Sequence, residues 1–135
     1  MDAEIARRLS GRTVLVVEDE YFIADDITQA LERLGATVLG PVATKTEAMQ
    51  RLEDGSSVDL AILDINLNGQ TVYPVADELT RREIPFVFAT GYDPTTIPDH
   101  YRELPRWQKP FDADALARVL AAMDEQSGQT SFRAP

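Results

Sequence analysis

Apolar and polar positions along this chain fall into alternating blocks. Thr13-Val14-Leu15-Val16-Val17 is a continuous, mostly β-branched run, the pattern of a strand buried on both faces. Ile23, Ile27, Ala30, Leu31 and Leu34 then recur at helical spacing, and Gly35 marks a helix end. Residues 36–40 read as a second strand stopping at Gly40-Pro41. Thr44-Lys45-Thr46-Glu47 has capping-box spacing and opens a helix ending near Glu53, followed by an Asp54-Gly55-Ser56-Ser57 turn. The run 58–63 predicts a third strand leading to Asp64, after which Asn68-Gly69 turns the chain. Thr71 is placed to cap a helix with Pro74 in its first turn and Val72, Val75, Ala76 and Leu79 facing inward. Pro85-Phe86-Val87-Phe88-Ala89-Thr90 is a fourth strand. Asp93-Pro94, with Pro98 close behind, predicts only a short, irregular helix. Arg106-Trp107-Gln108 reads as a short, polar edge strand. Asp112 can cap a last helix carrying Leu116, Val119, Leu120 and Met123 on its apolar face. Strand and helix thus alternate five times. The pattern predicts an α/β, doubly wound domain with a five-stranded parallel sheet over 12–125. A charged lead-in (1–11) precedes it and a polar, flexible tail (126–135) follows.

Composition narrows the choice of partner. With 135 residues, 44% hydrophobic and 27% charged, the chain suits one domain with a core. Its net charge of -10 argues against nucleic acid, whose phosphates call for a basic face. The absence of cysteine excludes disulfides and thiolate metal sites. No apolar run approaches the roughly 18 residues of a membrane helix, and residues 1–9 lack the apolar core of a secretion signal. These features predict a cytoplasmic protein that contacts neither nucleic acid nor membrane.

In sheets of this kind ligands bind beyond the carboxyl ends of the strands. Glu18 and Asp19 follow the first strand, Asp64 the third, Thr90 ends the fourth and Lys109 follows the fifth. Any one strand turns polar as it meets solvent; these residue types at four strand ends together are a more specific signal. Carboxylates brought together repel by about 4 kcal/mol per pair at roughly 4 Å and an effective dielectric near 20. Hard oxygen ligands without His or Cys point to Mg²⁺ as the neutralising ion. Such an ion admits a phosphate, toward which one carboxylate can act as nucleophile. Lys109 offers a compact charge and Thr90 a hydroxyl to phosphoryl oxygens, and Gly91 leaves room beside them.

Val14-Leu15-Val16-Val17-Glu18-Asp19-Glu20, Leu63-Asp64, Ala89-Thr90-Gly91 and Lys109-Pro110-Phe111 together resemble the response-regulator receiver domain of two-component signalling. The resemblance covers roughly residues 12–125 and implies the flavodoxin-like (βα)5 fold of a signalling module that is not an enzyme. It implies Asp64 as phosphoacceptor, with Glu18, Asp19, Asp64 and the backbone carbonyl of Asn66 around Mg²⁺. It further implies Thr90 as a switch hydroxyl, and Lys109 as the phosphate-pairing lysine with a cis peptide to Pro110. The implied partners are a histidine kinase or histidine phosphotransfer protein and an unidentified downstream protein. Phe86-Val87-Phe88-Ala89-Thr90-Gly91-Tyr92 resembles the "FAT GUY" subfamily, seen mainly as stand-alone regulators in alphaproteobacteria. That implies output by protein contact or by relaying or draining phosphate.

One departure concerns the switch. Many receivers carry Tyr or Phe three residues before the lysine, where this chain has Arg106 with Trp107 beside it. Rearrangement of 91–105 is then expected to carry the signal. Tyr92 and Asn66 are candidates for tuning phosphate lifetime. His100 reads as a surface residue, Trp107 as a cover for the sheet edge, and Asp25 and Asp26 as solvated charges or kinase contacts. Two competing classes remain open. A haloacid-dehalogenase-like aspartyl-phosphate hydrolase would carry a second Asp where this chain has Asn66. A receiver-like binding module would never be phosphorylated. The acidic stretch after the first strand, in place of a glycine-rich loop, weighs against a dinucleotide-binding domain.

Overall fold

The structure is a computed structural model, described here for residues 8–91 and 96–133, with 126–133 described by backbone alone. Strands β1 (Thr13–Val17), β2 (Thr37–Val42), β3 (Leu60–Leu63), β6 (Phe86–Thr90) and β7 (Arg106–Gln108) form one parallel sheet in the order β2-β1-β3-β6-β7. Helices α1 (Tyr21–Arg33), α2 (Lys45–Glu53), α3 (Tyr73–Arg81), α4 (Asp99–Arg102) and α5 (Ala113–Arg133) connect and cover it. This is the expected doubly wound flavodoxin-like architecture.

Why the strands read as unbroken apolar runs is visible in the packing. Successive side chains point to opposite faces. Leu15, Val17, Ala61, Leu63, Phe86 and Phe88 face a core closed by α2, α3 and α4. Val14, Val16, Leu60, Ile62, Val87 and Ala89 face a second core closed by α1 and α5. Both faces are dry, so neither alternate set is polar. Leu9, in the charged lead-in, is fully buried in the second core, and its N–H donates to the Leu34 carbonyl (2.8 Å). Charge dominates the composition around Leu9 and hides it from a periodicity argument.

Several boundaries differ from the sequence expectation. Strand β2 runs past Gly40-Pro41 to Val42, with a register shift against β1 and a cis peptide at Gly40-Pro41. It is an edge strand, where proline removes no needed donor. Gly40 has φ +102°, and a Cβ there would lie 2.8 Å from Val42 N and 3.0 Å from Val16 O, so glycine is required. Thr71 does not cap a helix. Asn68 (φ 55°) and Gly69 (φ 93°) form a tight turn joining strands β4 (Asn66–Leu67) and β5 (Gln70–Thr71). Thr71 therefore pairs with Asn66, and α3 begins after Val72 with Pro74 in its first turn. Helix α5 continues to Arg133 instead of ending near 125. Polarity alone does not stop a helix, and a glycine such as Gly128 costs only about 1 kcal/mol. The Thr44 and Asp112 caps form as read: the Glu47 N–H donates to Thr44 Oγ1 (3.1 Å) and the Asp114 N–H to Asp112 Oδ1 (2.9 Å). Among the described residues no helix is long and apolar enough to cross a membrane.

Candidate functional site

The site lies where the winding reverses. From β1 the chain moves outward to β2, then returns to place β3 on the other side of β1. The loops after β1 and β3 diverge there, leaving a cleft at their carboxyl ends. Glu18 leaves β1 with its N–H donating to the Val42 carbonyl (2.9 Å), and the Asp64 N–H donates to the Val17 carbonyl (2.8 Å). These sheet-edge bonds fix the two carboxylates side by side. The Lys109 N–H donates to the Thr90 carbonyl (2.9 Å), which ties the fifth strand's lysine to the fourth strand's threonine.

Glu18, Asp19 and Asp64 each offer a carboxylate oxygen, and these oxygens all lie within 4.8 Å of one another. Glu18 and Asp64 are buried, and Asp19 is more open. Lys109 Nζ donates to Asp64 Oδ2 (3.1 Å) and Glu18 Oε2 (3.2 Å), and lies 3.0 Å from Glu18 Oε1. Among the described residues one ammonium, that of Lys109, faces the carboxylates. Burial pushes the Glu18 carboxyl up to about 8, with Asp64 adding to the rise against a bond from the Glu20 N–H. Burial also raises Asp64, although Glu18, Lys109 and the Asn66 N–H hold it down in part. Burial pulls Lys109 down, but its bonds to Glu18 and Asp64 outweigh this and hold it above its usual value.

A hard divalent cation fits these donors. Glu18 Oε1 is buried and makes no hydrogen bond, despite the ammonium 3.0 Å away, so it keeps a lone pair for a further positive partner. All three donors are oxygens, the ligand type of Mg²⁺. The Asn66 N–H donates to Asp64 Oδ1 (3.3 Å), and the Asn66 side-chain oxygen accepts from the Gly69 N–H (2.9 Å). The side chain is thus committed to the turn, and the residue meets Asp64 through its backbone.

A cleft of about 190 Å³ opens over Asp64 and is lined by Glu20, Asn66, Thr90, Gly91 and Lys109. The Thr90 side chain is buried at its wall. Among the described residues beyond its chain neighbours, a Cβ on Gly91 would meet nothing within 4 Å, so their packing does not require glycine there. Glu20, unassigned by the sequence reading, joins the site: its Oε2 lies 3.5 Å from Lys109 Nζ. Its position directly after Glu18-Asp19 was the available signal. Tyr92 lies outside the described residues, as do Asp93 and Pro94.

Arg106 is not part of this constellation. Its Nη1 donates to the Arg102 carbonyl (2.8 Å), which holds it against the end of α4. The aromatic mass near the fourth strand comes from elsewhere. Tyr101 stacks on Tyr73 (centroids 4.3 Å, 10°) beside Phe88, and its hydroxyl donates to Asp77 (2.6 Å). Trp107 packs on the α1/α5 core with Phe111 edge-on, and His100 is exposed. Lys109-Pro110 is cis.

Fold and acidic cleft together define a class, and comparison with known proteins agrees. The response regulator receiver domain matches residues 14–121, and the chain belongs to that family. It is 33% identical over 112 residues to the phyllosphere-induced regulator PhyR of Methylorubrum extorquens, covering 80% of this chain and 42% of PhyR. The chain thus spans less than half the length of that relative. The solution structure of SdrG from Sphingomonas melonis Fr1 is 45% identical, with a TM-score of 0.72, covering 83% of this chain and 95% of SdrG. A BeF3-activated conformation of SdrG matches at the same identity with a TM-score of 0.67, covering 82% of this chain and 94% of that one.

Proposed function

We propose that this protein is a phosphoacceptor of a two-component or phosphorelay system, with Asp64 as the residue modified. The observation that carries the reading is the placement of Asp64: buried at a strand end, paired with Lys109, and opening onto a cleft walled by Thr90. An Asp64 carboxylate oxygen attacks the phosphorus of a phosphohistidine on a histidine kinase or histidine phosphotransfer protein. The P–N bond breaks, the imidazole leaves with the electron pair, and an acyl phosphate forms.

Glu18, Asp19, Asp64 and the Asn66 carbonyl would hold Mg²⁺. The ion offsets the repulsion among the carboxylates and draws charge from the phosphoryl oxygens. Lys109 exchanges a carboxylate partner for a phosphoryl oxygen, and Thr90 gives its hydroxyl to another. Because Thr90 and Lys109 are joined through backbone, a shift at one carries to β7 and to residues 91–105. The Tyr101–Tyr73 stack and the Tyr101–Asp77 bond lie along that path, where many receivers use a ring in the place of Arg106. Output is by contact with a downstream protein in the cytoplasm or by onward transfer of phosphate. The sequence 86–92 supports the FAT GUY assignment.

The test is to incubate the protein with a small phosphodonor and Mg²⁺ and measure its intact mass. One phosphoryl adduct is expected on the wild type and none on Asp64→Asn. An unmodified wild type, or an undiminished adduct on the variant, overturns the reading.

A further inference from the structure

Glu20 stands at the N-cap of α1, yet its side chain makes no capping bond to its own helix. Its backbone is fully used: the N–H donates to Glu18 Oε2 (3.0 Å) and the carbonyl accepts from the Ala24 N–H (2.9 Å). The side chain instead reaches across the cleft mouth to Lys109, with Oε2 3.5 Å from Nζ. Glu20 is 58% exposed at its side chain, whereas Glu18 is 1% and Asp64 5%. It is therefore the outer, movable member of the set of carboxylates around one ammonium. It also lines the cleft that opens onto Asp64.

Taking the phosphoacceptor reading of Asp64 as its basis, we propose that Glu20 is a positioning residue that weakens the phosphorylated state by competing with the phosphoryl group for Lys109. Two effects act in the same direction. Lys109 must give up its carboxylates to serve an incoming phosphoryl oxygen, and Glu20 adds a competitor that moves with it. An acidic side chain at the mouth also repels an anion entering the cleft. A half-exposed ion pair sets the scale, equivalent to about two- to five-fold in an equilibrium constant. The residue thus biases the switch toward its resting form and favours short occupancy of the phosphorylated one.

The experiment measures binding of beryllofluoride, a phosphoryl mimic, to the full chain in saturating Mg²⁺, together with binding of Mg²⁺ alone, by amide NMR shifts. For Glu20→Gln the expected result is about two- to five-fold tighter beryllofluoride binding at low salt. The gap should shrink at high salt, because the pair is open to solvent. Mg²⁺ alone should bind no more tightly than to wild type, since the substitution removes a nearby negative charge. This opposition of sign separates competition for Lys109 from structural damage, which weakens both. Glu20→Ala repeats the test without an amide in the cleft. Equal or weaker beryllofluoride binding by both variants overturns the proposal. If the wild type itself takes no beryllofluoride, the phosphoacceptor reading fails first.

Discussion

Above pH 8, where Glu18 as well as Asp64 carries its charge, replacing Asp64 by Asn should stabilise the metal-free protein. Asp64 carries its charge within 4.8 Å of both Glu18 and Asp19. Each repulsion is about 3.5 kcal/mol at an effective dielectric of about 20. Lys109 Nζ, 3.1 Å away, returns about 5 kcal/mol on the same scale. The balance stands against the charge by about 1–2 kcal/mol, with solvent screening at the more open Asp19 trimming it and burial of Asp64 adding to it. Asn keeps an oxygen for the Asn66 N–H, now 3.3 Å from Asp64 Oδ1, so the loop bond survives. The expected gain is about 1–2 kcal/mol, or about 4–8 °C in Tm for a domain of this size. Thermal unfolding in chelator at about pH 9, above the Glu18 value, reads it. With Mg²⁺ at ten times its Kd the wild type should recover about 1.4 kcal/mol, and the variant much less. A variant less stable than wild type in chelator, or one that Mg²⁺ stabilises equally, would refute the reasoning that these carboxylates repel and await a cation.

Two other predictions follow from the same structure. The Glu18 carboxyl is pushed up to about 8 by burial, from 4.5 in the unfolded chain. Between those values the folded state holds a proton that the unfolded state has released, so stability falls as pH rises. The contribution is whole below the unfolded value and is lost through pH 8. Urea titrations in chelator should show this decline, and Mg²⁺ should flatten it by replacing the proton; a flat metal-free profile counts against the buried Glu18–Asp64 pairing. Leu9→Ala should cost about 2–5 kcal/mol, because a fully buried side chain is removed; a loss under 0.5 kcal/mol would mean that the lead-in does not close the α1/α5 core, with the urea midpoint as the measure.

The sequence by itself determined the five strands of the parallel sheet, their alternation with helices and the positions of Glu18, Asp19, Asp64, Thr90 and Lys109 along strand ends. It could do so because burial on both sheet faces writes an unbroken apolar run, and helices write a 3.6-residue period, each readable within a few positions. Local chemistry likewise announced the Thr44 and Asp112 caps. Where neighbours came from far along the chain, that local record was silent. Leu9 is surrounded by charge in sequence and by α1 and α5 in space. Thr71 has the chemistry of a cap, but the hairpin over 66–71 claimed its backbone. Arg106 occupies the place of a ring, while Tyr101 and Tyr73 bring rings from two helices to the side of Phe88. Above all, only the tertiary structure decided that Lys109 meets Glu18 across 91 positions and Asp64 across 45, with Glu20 as a further competitor. A sequence pattern records whether each side chain faces solvent; which distant charge it faces is fixed by how the strands are ordered in the sheet.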